Sequence, residues 1–460
     1  LNAIFLAIVL VAFGTAAWRE FFPAAAAGAP SPMQALSAAT IASAGDAVTL
    51  AIGLVGAMAL FLGLMKVAEA GGLLTILARL IRPLMTRLFR DVPPEHPAMG
   101  AMVLNLSANA LGLGNAATPF GIRAMQELDR LNPRPGTATD AMALFLAINT
   151  SSVTLLPTAV IALRASAGSS DPAGILPTTL FASICGTAAA VATAFALARF
   201  FPVGEDDGAA ATARTRAGCG GGARVLEAAG EPEDAAAGAD AADADAAVSA
   251  ALADDSAAGA GAYPFWASVL ALAALAALVP VTVVWGRTIS PWIVPALVAG
   301  FLCFGLLRGV RVYESFVEGA KDGFEVAVRI IPYLVAILVA IGMLRASGAL
   351  DAIVGAVGGF TARFGLPAEA LPMALLRPLS GSGAYGVMAS IIGDPAIGPD
   401  SYVGYLVSTL QGSSETTFYV LAVYFGAVQV RRVRHTLVAA LTADFVAVVA
   451  AVAGCRYLFG

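Results

Sequence analysis

The stretch SSETTFYVLAVYFG, residues 413–426, opens on five polar residues and runs without a break into apolar ones. In the first half of the chain, Asn149-Thr150-Ser151-Ser152 interrupts another apolar run in the same way. Whether these polar insertions are loops, caps or functional parts of membrane helices decides the fold.

The surroundings answer the first part. The chain has 460 residues, of which 59% are hydrophobic and 12% charged, with a mean hydropathy of +0.82. That is too apolar for one or two soluble domains and reads as an integral membrane protein. Apolar runs long enough to cross a bilayer fall near 1–18, 47–66, 139–164, 175–201, 263–285, 291–308, 323–345, 402–430 and 436–458. Shorter or Gly-broken segments lie near 73–90, 98–122, 349–366 and 371–393. The runs are continuous and rich in Ala, Leu and Val, so the expected fold is all-α, a polytopic helix bundle, and not an outer-membrane barrel. With no basic residue ahead of it, 1–18 reads as an uncleaved first helix.

Several function classes drop out. The four cysteines have no close pair, and Lys66 and Lys321, the only lysines, lie outside any phosphate-binding loop. No Ser/His/Asp arrangement and no metal-ligand spacing is found, so neither enzymatic chemistry, a cofactor nor a metal is expected. His96 and His435, the two histidines, sit beside Pro- or Arg-rich turns and read as solvated loop residues.

Residues 203–262 break the pattern, with 12 acidic residues against Arg214, Arg216 and Arg224. This segment reads as a disordered acidic linker on the cytoplasmic side. Without it, 23 basic and 19 acidic residues remain, so the acidic pI of about 5.2 belongs to the linker. The expected organisation is a repeat over 1–202, the linker, a connecting transmembrane helix at 263–290 and a second repeat over 291–460.

Three matches in the same order carry the repeat. Residues 66–89 match 343–365; 97–114 match 372–388, setting Asn105 against Ser380 and Ser107 against Ser382; and 149–163 match 411–425. Basic residues favour the cytoplasmic side. Arg123, Arg130 and Arg134 follow the Gly-rich segment of the first half, whereas GDPAIGPDS in the second half has none. Arg431, Arg432, Arg434 and His435 follow the polar helix of the second half, whereas ASAGSSDPAG has none. The bias flips, so the repeats are read as inverted, an architecture of many secondary transporters.

Each half pairs a Gly-rich break, read as a broken or re-entrant helix, with a polar segment inside an apolar helix. Broken backbone survives in hydrocarbon only where it lines protein interior or a watery cavity. Candidate solute-binding residues are Asn105, Ser107, Asn109, Asn115, Asn149, Thr150, Ser151 and Ser152 in the first half. In the second they are Arg377, Ser380, Ser382, Gln411, Ser413, Ser414, Glu415 and Thr416. A charge at mid-membrane costs roughly 2.5–3.5 kcal/mol or more unless partnered. On helical spacing Ser408, Gln411 and Glu415 share a face, with Arg377, Ser414 and Thr416 as partners for Glu415. Glu415 and Asp444 are the candidate ion-coupling acids, while Val153 occupies the position matching Glu415.

With these residues in hand, LGLMKVAEAGGLL, FRDVPPEHPAMG, GLGNAATPFGIRAMQELDRLNP and FLAINTSSVTLLPT resemble the spore maturation protein A family. YESFVEGAKDGFEVAVRIIPYLV, LPMALLRPLSGSGAYGVM and STLQGSSETTFYVLAVYFGAV resemble the spore maturation protein B family. The chain looks like a fusion of the two, both of the nucleoside-recognition or Gate class, and related Gate domains occur in concentrative nucleoside transporters and ferrous iron transport protein B. The resemblance implies a membrane protein linked in spore formers to spore-core dehydration and heat resistance, with a transport role.

Two functions from different classes follow as expectations. One is a secondary transporter or permease, in the bacterial inner membrane, for a small polar solute, either nucleoside-like or a small organic anion. The other is a non-transporting scaffold for envelope or spore-cortex remodelling proteins, with the linker as docking tail. Expected partners are the lipid bilayer, a small-molecule solute and, as an open option, further copies in a homo-oligomer, but no nucleic acid.

Overall fold

The computed structural model describes residues 2–22, 31–112, 114–151, 153–201 and 263–460. The expected linker, 203–262, and Ser152 lie outside the described residues, as does the side chain of Asn115. The first half contains α1 (Asn2–Phe21), α2 (Pro32–Ala70), α3 (Leu73–Leu88), α4 (Pro97–Leu111), α5 (Gly114–Arg130), α6 (Asp140–Thr150), α7 (Thr158–Ser166) and α8 (Leu176–Ala198). The second contains α9 (Phe265–Leu307), α10 (Val312–Arg329), α11 (Ile331–Ala346), α12 (Ala349–Thr361), α13 (Leu371–Leu376), α14 (Gly381–Ile392), α15 (Tyr402–Gly412), α16 (Thr417–Ala427) and α17 (Thr436–Phe459). No β-strand occurs among the described residues, and the all-α class stands. Three described helices, α2, α8 and α17, are long and apolar enough to cross a membrane on their own; α6, α14 and parts of α9 and α11 are shorter apolar pieces.

Local chemistry sets the boundaries. Ser31 and Gln34 form a reciprocal cap at the start of α2, with Pro32 at the first helical position. Thr139 caps α6 through Met142 N, Ser380 caps α14 through Gly383 N, and Ser401 caps α15 through Gly404 N. Helix α4 stops at Gly112, whose φ of +78° suits a residue without a Cβ, and an added Cβ there would lie 2.6 Å from Leu156 O.

Several expectations are corrected. The runs 139–164 and 402–430 are not continuous helices, because backbone breaks at 151–157 and 413–416 divide each into two half-helices. Ser408 and Gln411 lie on α15 but Glu415 lies past its end, so the three do not share a helix face. The runs 263–285 and 291–308 join into one helix, α9. Asn105 is not the counterpart of Ser380: Asn105 is inside α4, whereas Ser380 is the cap that restarts the chain after its break. Gly- and Ala-rich segments align equally well at several offsets, which hid this. His435 is buried, and His96 accepts a hydrogen bond from Ala98 N at the start of α4, so neither is merely a solvated loop residue.

The two cores exchange half-helices. Val420, Leu421, Tyr424 and Phe425 of α16 pack among Met99, Met102, Met125 and Phe145 of the first half. Val160, Ile161 and Leu163 of α7 pack among Met373, Val387, Leu406 and Cys455 of the second. Around them α10 and α11 pack along α2, and α8 packs along α17.

Both exchanges are latched at their ends. Arg164, in the last turn of α7, is 0% exposed and donates to Pro399 O (2.6 Å), Asp400 Oδ1 (3.0 Å), Asp171 O (3.1 Å) and Pro172 O (3.2 Å), with its guanidinium 4.3 Å from the Tyr405 ring centre. Asp400 also accepts from Ser169 Oγ and from Ser170 N and Oγ. At the other end, Arg434 donates to Asp140 Oδ1 (2.7 Å) and Ala138 O (3.0 Å), while Ala138 N donates to Arg432 O (3.0 Å). The end of α7 therefore grips the turn before α15, and the turn after α16 grips the turn before α6.

The Asp400 carboxyl sits at the molecule's edge, outside the spans. Burial alone would raise its pKa, but the hydrogen bonds from Ser169 and Ser170 and the Arg164 charge outweigh that and hold it below its ordinary value. A depressed value means stability that is full above about pH 4, the ordinary aspartate value, and lost as the pH falls through the lower folded-state value. Thermal unfolding in detergent micelles should show this acid-side loss, and Asp400→Asn should reduce it; an unchanged acid-side slope would remove Asp400 from that role. Arg164→Ala should cost about 3–5 kcal/mol, because it leaves buried acceptors without their donor.

Candidate functional site

The two backbone breaks meet. Glu415 N donates to Thr150 O at 2.9 Å, joining the gap of the second half to the end of α6, where the gap of the first begins. Each gap is also stitched to the Gly-rich break of its own half, by Leu155 N to Ala110 O (2.9 Å) and by Phe418 N to Pro378 O (3.0 Å). Thr187 Oγ1 of α8 donates to Ser151 O at 2.5 Å. The ends of α4, α6, α13 and α15 and the starts of α5, α7, α14 and α16 thus border a connected set of breaks, offering carbonyls on one side and N–H groups on the other.

In the first half, most of the expected side chains are occupied with local structure. Asn105 is fully buried, and its Nδ2 donates to Ala117 O (2.7 Å) and Tyr424 Oη (3.2 Å), tying α4 to α5 and α16. Ser107 donates to Val103 O, Thr150 and Ser151 both donate to Ala147 O, and Asn149 Nδ2 donates to Phe145 O. Asn109 Nδ2 donates to Asn149 Oδ1 at 2.9 Å, closing the two amides on one another.

The second half is different. Arg377, at the C-terminal end of α13 and 7% exposed, donates from Nη1 to Thr416 Oγ1 at 3.0 Å and from Nη2 to Ser414 O. Its Nη2 lies 3.8 Å from Glu415 Oε2, close enough for an ion pair but too far for a hydrogen bond. Ser413, Ser414, Thr416 and Thr417 around it are buried, whereas the Glu415 side chain is 44% exposed. Asp444, 6% exposed in α17, accepts from Thr417 Oγ1 at 2.6 Å through Oδ2, and its Oδ1 has no hydrogen-bond partner. Arg377 Nε and Gln411 Oε1 are likewise unpartnered. Ser413 Oγ turns back to Leu410 O, Ser380 is a helix cap, and Ser382 lies half-buried in the first turn of α14.

The structure therefore brings together Arg377, Ser414, Glu415, Thr416 and Asp444, with Arg377 partnered as expected from sequence. Thr417 and Thr187, which join these breaks to α17 and α8, were not singled out; hydroxyls among Ala and Leu give little warning of their roles. Arg164 closes the apolar run 139–164, and a lone Arg at the end of such a run is itself a sign of a built partner. Among the described residues no group of His, Cys, Asp and Glu is spaced to hold a metal.

Such a bundle, with half-helices crossing at its centre, defines an all-α multi-pass membrane protein. The family model for Gate, described as nucleoside recognition, matches residues 51–167 and 327–431, and the chain belongs to that family. Spore maturation protein B of Bacillus subtilis (strain 168) is 47% identical over 167 residues, covering 36% of this chain and 93% of that protein. Spore maturation protein A of the same organism is 45% identical over 152 residues, covering 33% of this chain and 78% of that protein. No solved structure matches the chain.

Thr417→Val should leave both Asp444 oxygens without a donor and cost about 1–3 kcal/mol of stability, with Thr417→Ser close to wild type. Chemical denaturation in micelles reads this directly. Equal stability of the Val and Ser variants would show that the contact contributes nothing.

Proposed function

We propose that this protein is a secondary transporter or permease that moves a small polar solute across the bacterial inner membrane. The observation that carries the reading is the meeting of the two breaks at Thr150 O and Glu415 N, beside a buried Arg377 and an accessible Glu415. Interrupted helices in membrane proteins supply backbone N–H and C=O groups to solutes and ions at mid-membrane. The two solute classes expected from sequence, nucleoside-like and small organic anion, correspond to the hydroxyl and amide groups and to the guanidinium, respectively. Membership of a family described as nucleoside recognition supports the same general role.

The inverted reading of the repeats has support in the contacts. The turns that hold Arg134 and Arg431, Arg432 and Arg434 meet at one end of the crossed helices, and the turns 167–175 and 394–401, without basic residues, meet at the other. By the positive-inside preference the first end is cytoplasmic. The acidic segment 203–262 is then a cytoplasmic tether.

Purified protein in proteoliposomes should take up radiolabelled solutes from a panel of nucleosides and small organic acids, with Arg377→Ala and Glu415→Gln each lowering the rate at least roughly tenfold, the size expected when a charged contact worth 1.4 kcal/mol or more is removed. Deleting 205–260 should leave uptake largely intact. Variants that transport every solute as wild type does would remove these residues from the site, and loss of phenotype on deleting 205–260 alone would favour the scaffold.

A further inference from the structure

Arg123 and Arg130 lie on α5 one turn before and one turn after Glu127, and that single carboxylate holds both. Glu127 Oε1 is 2.8 Å from Arg123 Nη2, and Arg130 Nη1 donates to both Glu127 oxygens at 2.8 Å. The Glu127 side chain is 1% exposed, whereas those of Arg123 and Arg130 are 39% and 65% exposed. A carboxylate buried to this degree needs charged donors, and supplying them fixes two like charges side by side. Each guanidinium gives only one of its nitrogens to Glu127, and among the described residues neither makes another hydrogen bond or ion pair. Their exposed edges are left for an acceptor from outside.

The surroundings share the sign. Asn132 Nδ2 donates to Asp129 Oδ1 and Thr137 O, folding the next turn back on α5, and Arg431 N and Arg432 N both donate to Gly136 O in that turn. Setting aside the Arg434–Asp140 pair, α5 and the two joined turns carry Arg123, Arg130, Arg134, Arg431 and Arg432 against Glu127 and Asp129.

Depth decides what meets this surface. Helix α5 starts at the break, at Gly114, and a rise of about 1.5 Å per residue puts Arg123 about 14 Å and Arg130 about 24 Å from it. Half the hydrocarbon core is about 15 Å thick, and the lipid headgroups lie just beyond it. With the break at mid-membrane, Arg123 to Arg130 spans the level of the lipid phosphates.

We infer that Arg123 and Arg130, held by Glu127, bind the phosphate of an anionic phospholipid in the cytoplasmic leaflet. Guanidinium edges match phosphate oxygens in pairs. A zwitterionic lipid brings the same phosphate with a cation beside it, which the surrounding arginines repel. The depth rests on the reading of the breaks as a mid-membrane site; the lipid site itself does not require that any solute be transported.

The test uses full-length protein in detergent micelles with equal amounts of phosphatidylglycerol and phosphatidylcholine, the retained lipids being counted by native mass spectrometry. Wild type should retain phosphatidylglycerol at least about fivefold over phosphatidylcholine, the factor expected for one basic side chain at the headgroup level. Part of that preference should persist at about 1 M ammonium acetate, where diffuse attraction is screened within about 3 Å. Arg123→Gln/Arg130→Gln should bring the two lipids near parity. Because that variant leaves Glu127 buried without its donors, Arg123→Gln/Glu127→Gln/Arg130→Gln, which removes all three charges together, should do the same. Arg134→Gln/Arg431→Gln should keep the preference at high salt. Equal retention of both lipids by wild type overturns the inference, as does a triple variant that retains phosphatidylglycerol like wild type. A preference lost on removing Arg134 and Arg431 but kept in the triple variant assigns it to the general basic surface and overturns the site. Free glycerol phosphate displacing the lipid at equal concentration would overturn the lipid as occupant. Failure of wild-type proteoliposomes to take up any solute counts against the transporter reading alone.

Discussion

Within hydrocarbon a peptide group has no water to pair with, and each one left alone costs several kcal/mol. The hydrogen bond from Glu415 N to Thr150 O is the local answer to that constraint, and much of the architecture follows from it. A helix interrupted at 151–157 is tolerable because another, interrupted at 413–416, supplies a partner at the same depth. Each break then needs its own further support, which Ala110 O and Pro378 O provide from the Gly-rich segments and Thr187 from α8. Four interruptions in sequence become one connected polar region in space. The small residues around them serve this end: a Cβ on Gly112 would collide with the backbone of Leu156, so close stitching of α4 to the gap needs glycine there.

The two halves use this common frame differently. In the first, amides close on one another or on the backbone, as Asn109 does with Asn149 and Asn105 with Ala117 and Tyr424. That side is satisfied apart from the buried Asn105 Oδ1 and behaves as framework. In the second, a guanidinium is clamped by neutral oxygens while its neighbouring carboxylate is held only loosely. Rigid support beside a weakly committed charge is a physical arrangement suited to exchanging one partner for another.

Much of this was legible in the chain itself, and the failures have definite causes. Helical class, membrane character and the repeat came from long apolar runs and ordered matches, which lipid imposes strongly. Arg377 and Glu415 as partners came from the cost of leaving a charge unpaired in an apolar run. The breaks at 151–157 and 413–416 were not legible as breaks, since hydropathy sees NTSSVTLLPT and SSETTFYV as polar notches in otherwise unbroken spans. Their helix ends are fixed by contacts between distant segments, such as Phe418 N with Pro378 O, which no local pattern encodes. The Asn105 and Ser380 mismatch had the opposite origin: similarity was real, but small-residue repeats do not fix a register. Arg164 was overlooked because its acceptors, Pro399 and Asp400, lie more than two hundred residues away.

The exchange of α7 and α16 between the two cores bears on how the protein is made. Met99, Met102 and Phe145 complete their packing against Val420 to Phe425, which leave the ribosome long after them. The usual order, in which an amino-terminal domain finishes folding before the next emerges, is closed to this chain. Its first half must wait in the bilayer with an open groove until the second half arrives. Relatives of the two parts are separate polypeptides, so what is here a matter of sequence order is for two chains a matter of meeting.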